Sequence, residues 1–302
     1  MRKTVFTGLA LLCAMSMAAW ADDDEATANG WRLKGERGET VNVLPSPAKV
    51  PSAAGHPVNA PITGLTVYRA SYGSGNLIDH GGLEIASAGF YQIYYDSSIP
   101  ASISTGINGF VNAFGSGIPD YDIIQQYGSH APIAAKLTNG GAVYDTKGVP
   151  STISDSQIQS YLAGLFNSGR VPASAFTVYG VYLPPGTIST LGSSASCTSY
   201  CGYHSVFTYG SLQIKYAVFP YLTCSGCSLS GKSVLDMLTI VTSHEIREAV
   251  TDPGDNGTNA WYDRRGYEAD DKCAWHHLYQ LSSGYWVQPE YSNANQGCVV
   301  FP

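Results

Sequence analysis

The residues of this chain whose types and spacing could do chemistry stand together in the sequence His-Glu-Ile-Arg-Glu at positions 244 to 248. His244 and Glu248 are four positions apart, so a helix would place them on one face, a turn from each other. In zinc hydrolases with a His-Glu-x-x-His helix, these two positions bind the metal, and the glutamate beside the first ligand takes a proton from the metal-bound water. We therefore predict that His244 and Glu248 bind zinc and that Glu245 is the general base.

A third ligand has to come from outside this motif, because zinc in hydrolases is held by three protein side chains and a water. Glu268 lies 20 residues after Glu248, a spacing that resembles thermolysin-like zinc proteases, and is the predicted third ligand. Asp271 then takes the place of an acid that orients the ligating histidine in those enzymes. Asp252 and His204 are the alternative third ligands. Because acids outnumber histidines here, calcium stays open as an alternative to zinc.

A purely structural interpretation competes with this metal site. A buried histidine and neighbouring acids can form a hydrogen-bond network at the end of a helix, and Arg247 can pair with one of those acids. His204 is then a structural histidine, while the adjacent His276 and His277 are predicted to face different ways at the surface. The aromatic residues after position 260 either line a carbohydrate or peptide groove or form the core of a helix-poor region.

The element that must position the motif is a helix predicted from Ser233 to near Thr251. Ser233 and Asp236 have the spacing of a capping box, and Pro253 cannot continue a helix. Its first half is apolar nearly all round, which predicts burial of Val234, Leu235, Met237, Leu238, Ile240 and Val241.

Strands and helices alternate in the middle of the chain, which predicts a single α/β domain with a mixed sheet and helices packed on it. Apolar residues recur at helical spacing from Ile103 to Phe114, and a second helix is predicted from Ser154 to Phe166. After Pro253 the pattern changes to loops and short strands, so the C-terminal part is predicted to be loop-rich. Strands are predicted at Leu65–Ala70, Gly89–Tyr95, Phe176–Leu183 and Leu212–Phe219.

The first 60 residues are predicted to lie outside this domain, which would span residues 61–302. Basic residues followed by an apolar run and the sequence Ala19-Trp20-Ala21 predict a signal peptide over residues 1–21, and therefore a secreted or periplasmic protein. Residues 22–60 are rich in Ala, Pro, Ser and Gly and are predicted to be a flexible leader or linker. Whether they are a cleaved pro-segment stays open.

Six cysteines remain after the predicted signal peptide, and an even number in an exported chain predicts disulfides. A structural zinc site is the alternative for the first four, which have Cys-x3-Cys and Cys-x2-Cys spacing. Their clustering favours the pairs Cys197–Cys201, Cys224–Cys227 and Cys273–Cys298.

The charge of the chain argues against two classes of partner. The formal net charge is −7, and the predicted signal contains two of the 16 Lys and Arg but none of the 23 Asp and Glu, which leaves −9 for the mature protein. An acidic surface is unsuited to nucleic acid or anionic membranes. The predicted partner is an extracellular protein, peptide or cell-wall substrate.

Several segments also carry a family resemblance. They are Phe176-Thr-Val-Tyr-Gly-Val-Tyr-Leu183, Cys197-Thr-Ser-Tyr-Cys201-Gly-Tyr-His204, Tyr216-Ala-Val-Phe-Pro220 with Cys224-Ser-Gly-Cys227, and Ala249-Val-Thr-Asp-Pro253. Together they resemble the secreted phosphate-induced, or EXORDIUM-like, family over roughly residues 60–300. The resemblance implies an extracellular, disulfide-bonded protein, which in plants is linked to cell-wall growth without an established enzymatic reaction.

The resemblance supports export and fold but not catalysis, because the plant members lack a His-Glu pair at the positions of His244 and Glu245. If those members fold without the pair, its presence here favours a functional role. Two hypotheses follow: a secreted zinc-dependent hydrolase, specifically a metallopeptidase, or a non-enzymatic extracellular binding or signalling protein with a structural metal or hydrogen-bond cluster.

Overall fold

The structure is a computed structural model that describes residues 30–50 and 64–301. Within these ranges the α-helices are α1 (Ala101–Phe114), α2 (Pro119–Asp122), α3 (Asp155–Asn167) and α4 (Val234–Thr251). The strands are β1 (Arg32–Lys34), β2 (Thr40–Pro45), β3 (Thr66–Tyr68), β4 (Ile78–Asp79), β5 (Gly89–Tyr94), β6 (Thr138–Tyr144), β7 (Thr152–Ser154), β8 (Thr177–Tyr182), β9 (Ile188–Leu191), β10 (Ser194–Ala195), β11 (Tyr200–Tyr209), β12 (Leu212–Phe219), β13 (Trp261–Tyr262), β14 (Tyr279–Gln280), β15 (Trp286–Val287), β16 (Glu290–Ser292) and β17 (Gly297–Val300). Short 3-10 helices lie at Pro47–Lys49, Ile123–Tyr127, Ser225–Cys227, Asp255–Gly257 and Asp271–Cys273.

A seven-stranded sheet organises the fold, with the strand order β1-β2-β11-β12-β8-β5-β6. The strands from β1 to β12 in this order pair antiparallel, whereas β12, β8, β5 and β6 pair parallel. The predicted α/β fold with a mixed sheet is therefore confirmed.

Helices cover both faces of this sheet. The residues of strand β8 illustrate this. Val178 and Tyr182 face the core formed with α1 and α4, whereas Tyr179 and Val181 face the core formed with α3. A strand buried on both faces has apolar residues at successive positions, and alternate residues supply the two cores. The arrangement has three layers, with α1 and α4 on one side and α3 on the other.

Helix α4 begins and ends where the sequence predicts. The Ser233 side chain accepts a hydrogen bond from the Asp236 N–H (3.1 Å), and the Asp236 carboxylate accepts one from the Ser233 N–H (2.8 Å), which completes the capping box. Asp252 leaves helical geometry at φ −139° directly before Pro253. Val234 and Leu235 are only half-buried, but every residue from Met237 to Thr251 is buried, including the charged end of the helix.

The other predicted elements are also present, with ends shifted by a few residues. Helix α3 has its capping box between Ser154 and Gln157, and α1 covers the apolar repeat that ends at Phe114. The predicted strands correspond to β3, β5, β8 and β12. The ten-residue strand β11 was not predicted, because its first half contains cysteine, glycine, histidine and serine rather than an alternating apolar pattern.

The prediction that residues 22–60 form a flexible leader is wrong for residues 30–50. Strand β2 pairs with β11, and β1 pairs with β2 at the edge of the main sheet. Val41 and Val43 of β2 are buried against the α3 side, while Leu44 is buried against the α4 side. Many small residues and prolines surround this short strand, so the composition of the segment gave no indication of it. The predicted signal peptide and the remaining parts of the predicted leader lie outside the described residues.

The cysteines are paired in disulfides, but two of the three predicted pairs are wrong. The bonds join Cys197 to Cys224, Cys201 to Cys227 and Cys273 to Cys298, as the sequence predicted only for the last. The first two pairs form across segments because the start of β11 lies against the 3-10 helix at Ser225–Cys227. The alternative of a structural zinc is also wrong, since disulfides use the sulfur atoms of all four cysteines.

The part of the chain after α4 is loop-rich, as predicted, and supplies core as well as loops. Trp275 and Tyr279 are buried in the core beside α4, so these aromatic residues form the interior of a helix-poor region. His276 and His277, predicted to be surface residues, are half-buried: Tyr72 Oη contacts His276 Nε2 (2.9 Å), and the Tyr68 ring stacks on His277. Within residues 30–50 and 64–301, no helix has both the length and the apolarity to cross a bilayer.

Candidate metal centre

Glycine at position 202 lets α4 approach β11 closely enough to form a site. A Cβ atom on Gly202 would overlap Val241 Cγ1 and lie 2.9 Å from Glu245 Oε1, so any other residue would push the helix away. Side chains alternate along a strand, and His204 therefore faces the same way as Gly202, toward α4. The Cys-Gly-x-His segment thus brings a histidine of the sheet to the His-Glu-x-x-Glu end of the helix.

His204 contacts the predicted general base. Its Nδ1 donates a hydrogen bond to Glu245 Oε2 (3.1 Å), and its Nε2 accepts one from Asn42 Nδ2 (3.3 Å). The Asn42 amide is oriented in turn by Arg32, whose Nε donates to Asn42 Oδ1 (3.0 Å). Burial, together with the nearby His244 and Arg32, lowers the pKa of His204 to about 3, so the imidazole is neutral at physiological pH.

His244 and Glu248, the two predicted ligands on α4, lie together. His244 Nε2 is 2.9 Å from Glu248 Oε2, and Asp271 Oδ1 lies 3.8 Å from the same nitrogen. The backbone N–H of Asp271 donates to the other oxygen of Glu248 (2.9 Å) and holds this carboxylate in place. On the far side of the ring, the amide nitrogen of Gln288 lies 2.9 Å from His244 Nδ1. Asp271, predicted to orient His244, therefore lies within the group of ligand-type atoms around His244 Nε2.

Glu248 also faces the histidine from the sheet. Its Oε2 lies 3.8 Å from His204 Nδ1, so one carboxylate oxygen stands between two imidazoles. The atoms form two overlapping groups, His244 with Glu248 and Asp271, and His204 with Glu245 and Glu248; within each group all ligand atoms are within 4.8 Å of one another.

Glu268, the predicted third ligand, approaches the centre from the His204 side. Its Oε1 is 3.7 Å from His204 Nε2, and its backbone N–H donates to Asp271 Oδ2 (3.2 Å). The structure thus brings Glu268 into the same cluster as His244 and Glu248, but the second carboxylate beside His244 Nε2 is that of Asp271.

The alternative ligands occupy different places. His204 belongs to the cluster, whereas Asp252, at the end of α4, accepts a hydrogen bond from the Ala260 N–H and has its Oδ2 3.8 Å from Arg32 Nη2. Burial raises the pKa of Asp252 to about 6. Asp252 therefore lies at the edge of the centre, beside the guanidinium group of Arg32.

Several atoms of the cluster lack hydrogen-bond partners among the described residues. They are His244 Nε2, Glu245 Oε1, Asp252 Oδ2, Glu268 Oε1 and Asp271 Oδ1. Buried polar atoms are nearly always satisfied, and a set of unsatisfied ones in one place indicates a missing ion or water. His244 Nε2 and Glu248 Oε2 are 2.9 Å apart without the alignment of a hydrogen bond, as expected for two atoms that face a common third partner.

The electrostatics favour the same conclusion. Burial and mutual repulsion raise the pKa values of Glu245, Glu248, Glu268 and Asp271 well above those of free carboxyls, and burial lowers the pKa of His244. Acids in such a place keep their protons unless a cation compensates the charge. These residues are only 0–3% exposed, so a bound cation would be the natural counter-charge.

The opposite side of α4 carries a structural ion-pair network. Arg247 pairs with Asp270 and lies 3.2 Å from Glu290, and it also donates to the carbonyl oxygen of Asp120 (3.0 Å). The prediction that Arg247 pairs with a neighbouring acid is confirmed. Gln288 connects the two sides, because its amide also donates to the carbonyl oxygen of Asp270 (2.9 Å). The network therefore fixes the backbone immediately before Asp271.

A cavity of about 430 Å³ borders the His204 side of the centre. Among the residues that line it are His204, Asp252, Arg32 and Asn42. Arg32 and Asn42 were missed because they lie in the segment predicted to be a leader, and only the pairing of β2 with β11 brings them to His204. One signal was present in the sequence: Asn42 is a polar residue within the apolar run Val41 to Leu44.

Comparison with protein-family models, curated proteins and solved structures finds no match for this chain. The resemblance to the EXORDIUM-like family therefore stays a prediction, and the function has to be inferred from the residues of the candidate metal centre.

Proposed function

We propose that this protein is a metal-dependent hydrolase with a zinc ion bound by His244 Nε2, Glu248 Oε2 and Asp271 Oδ1. The observation that carries the proposal is the group of buried, converging ligand atoms around His244, two of which lack hydrogen-bond partners within the described part of the chain. One imidazole and two carboxylates form an accepted donor set for zinc. Glu268, predicted to be the third ligand, is not a zinc ligand in this proposal. It lies beside His204 instead.

Gln288 and the backbone of Asp271 contact the proposed ligands His244 and Glu248. When Nε2 binds a metal, the ring proton is on Nδ1 and needs an acceptor. Gln288 Oε1 has no hydrogen-bond partner among residues 30–50 and 64–301, but turning it toward that proton would move Nε2 away from the carbonyl oxygen of Asp270, so this acceptor would come at the loss of that bond. Glu248 is held by the Asp271 N–H, so the ligand carboxylate is already oriented.

Glu245 is the general base in this proposal. Two carboxylate ligands neutralise the zinc charge and make its bound water less acidic than in a three-histidine site. Glu245 would act as the base on that water, because it lies in the same cluster as Glu248 and its Oε1 has no hydrogen-bond partner among the described residues. Its Oε2 is held by His204, which leaves Oε1 to accept the proton of the water.

The substrate would enter through the cavity of about 430 Å³ beside His204. We propose a peptide as the substrate and an extracellular or periplasmic location, where the three disulfides would persist. A carbonyl group that reaches the cation from this cavity would pass Arg32, whose charge can stabilise an oxyanion.

The alternative function is a non-enzymatic extracellular binding protein in which the cation is structural. The near-complete burial of His244 and Glu248 favours this alternative, because a catalytic metal needs an open coordination position.

Metal analysis combined with a hydrolysis assay tests the two functions. The purified chain, loaded with zinc or calcium and desalted, should retain zinc, and His244→Ala should lose the ion bound at His244. Zinc-loaded protein should cleave members of a peptide library or casein, and Glu245→Gln should keep zinc at His244 but lose cleavage. Absence of retained metal would refute the proposal, whereas retained zinc without cleavage would support the structural alternative.

A further inference from the structure

The His204 side of the cluster has the composition of a second cation site. His204 Nδ1 lies 3.1 Å from Glu245 Oε2 and 3.8 Å from Glu248 Oε2, and all three atoms are buried. The cluster combines an imidazole with two carboxylates, the donor types that divalent transition metals bind. It is separate from His244 and Asp271 but shares one oxygen, Glu248 Oε2, with them.

If metal binding displaces the protons of the surrounding acids, their charge can balance more than one divalent cation. Among the described residues, seven buried carboxylates surround it and face two guanidinium groups, those of Arg32 and Arg247; Lys272 is paired with Asp263 (2.7 Å). Full ionisation therefore leaves an excess of five negative charges, which one divalent cation reduces to three and two reduce to one. The seven acids are Glu245, Glu248, Asp252, Glu268, Asp270, Asp271 and Glu290.

We infer that the protein binds a second divalent metal ion through His204 Nδ1, Glu245 Oε2 and Glu248 Oε2, with Glu248 bridging the two ions. The inference rests on the proposed metal centre and extends it to a two-metal hydrolase. A carboxylate oxygen 2.9 Å from one imidazole nitrogen and 3.8 Å from another is placed to bridge ions that are about 3.5–4 Å apart, the separation found in two-metal hydrolases.

The proton that the second ion displaces has an acceptor nearby. Binding at Nδ1 removes the hydrogen bond from His204 to Glu245 and moves the ring proton to Nε2. Glu268 Oε1 lies 3.7 Å from that nitrogen and has no hydrogen-bond partner in the described residues, so a small approach would let it accept a hydrogen bond from Nε2 while Asn42 gives up its own. A carboxylate behind a metal-bound histidine is the usual arrangement at such sites. Binding through Oε2 would lower the basicity of Glu245, so in the two-metal form the second ion would help to activate the water.

The number of bound ions tests this inference directly. The purified chain with intact disulfides is loaded with Zn²⁺, desalted, and analysed for metal per chain by mass spectrometry. We expect two ions in the wild type, one in His204→Ala, and two in Asp155→Asn, which changes a buried acid on the opposite face of the sheet. One ion in the wild type would overturn the second site but leave the proposed hydrolase standing, and none would overturn both.

A spectroscopic measurement on the wild type keeps the test independent of variants that fold poorly. Mn²⁺ titrated into the metal-free protein should give the exchange-coupled electron paramagnetic resonance spectrum of a bridged pair at two equivalents. Two uncoupled six-line signals would show that the ions do not share Glu248 and would overturn the bridged arrangement. Equal metal content in His204→Ala and wild type would also overturn it, because the second ion would then lie elsewhere.

Discussion

Two buried acidic clusters lie on opposite faces of the same sheet, and strand β11 contributes to both. On the α3 side, Asp155 is fully buried and accepts hydrogen bonds from Tyr203 Oη (2.7 Å), Tyr216 Oη (2.8 Å) and Gln159 Nε2 (2.7 Å). On the α4 side, His204 faces Glu245 and the other acids of the candidate metal centre. Neighbouring residues of one strand, Tyr203 and His204, therefore serve two different kinds of cluster.

The difference between the clusters shows what distinguishes a structural acid from a cation site. Burial raises the pKa of Asp155 as it does that of Glu245, so neither burial nor the direction of the pKa shift separates them. The neutral hydrogen-bond donors do: Asp155 has donors on both carboxylate oxygens, whereas in the α4 cluster Glu245 Oε1, Glu268 Oε1 and Asp271 Oδ1 have no donor among the described residues. A carboxylate surrounded by phenols needs no ion, but a group of buried carboxylate oxygens without donors is suited to one.

The largest expected effect is a loss of activity that a substitution in the α4-side cluster should cause and one in the Asp155 cluster should not. Glu245→Gln removes the proposed base and should lower kcat/KM on a peptide substrate about 10²- to 10⁴-fold. Asp155→Asn, on the other face of the sheet, should leave kcat/KM of the folded protein within a factor of about two. Equal loss of activity in both variants would mean that general destabilisation, rather than base catalysis, explains the effect.

Metal removal should give the next largest effect, on stability. With free zinc at about 1,000 times its Kd, binding stabilises the folded state by roughly 4 kcal/mol, and chelation would remove this. For a protein of this size the melting temperature should fall by on the order of 10 °C. Differential scanning calorimetry with and without a chelator measures the drop, which Asp155→Asn should retain in full and His244→Ala should reduce, because an ion at His204 would remain. An undiminished drop in His244→Ala would show that no stabilising ion binds at His244.

The Asp155 cluster should show a smaller and metal-independent effect. Asp155→Asn turns an acceptor oxygen into a donor facing phenol hydroxyl groups, and should destabilise the fold by about 1–3 kcal/mol. Urea denaturation of the wild type and the variant measures this difference, and their zinc content should be equal. A variant with wild-type stability would show that the phenol hydrogen bonds contribute nothing net to stability.

The smallest expected change is a pH dependence of the fall in melting temperature that chelation causes. Burial raises the folded-state pKa values of Glu248, Glu268 and Asp271, and that of Asp252 to about 6. The stability that their protonation contributes is present below the unfolded pKa of about 4 and is lost as pH rises through the folded values. Zinc replaces those protons, so the difference in melting temperature between loaded and chelated protein should widen from about pH 5 to 7. A constant difference would contradict the raised pKa values.

Local sequence patterns predicted the parts of the site that one helix contains. The capping box at Ser233 and Asp236, the apolar stretch that follows, and Pro253 determine where α4 begins and ends. The spacing of His244 and Glu248 then follows from helical geometry. The same local reasoning located α3 and four strands of the fold.

Interactions between distant segments limited the prediction elsewhere. Cysteines close in sequence were expected to pair, but the position of Cys224 and Cys227 beside the start of β11 pairs them with Cys197 and Cys201 instead. Asp271 was expected to orient His244 rather than to bind the metal, yet the backbone turn held by Arg247 and Asp270 places its Oδ1 3.8 Å from His244 Nε2.

The sequence by itself determined helix α4, its buried face and the placement of His244, Glu245 and Glu248 on it, because capping, apolar periodicity and the break before Pro253 act within a few residues. Only the tertiary structure decided that His204, Asn42 and Arg32 complete the cluster. Strands β2 and β11 are paired although about 160 residues separate Asn42 from His204, and no local pattern in the sequence says which distant strand β2 pairs with.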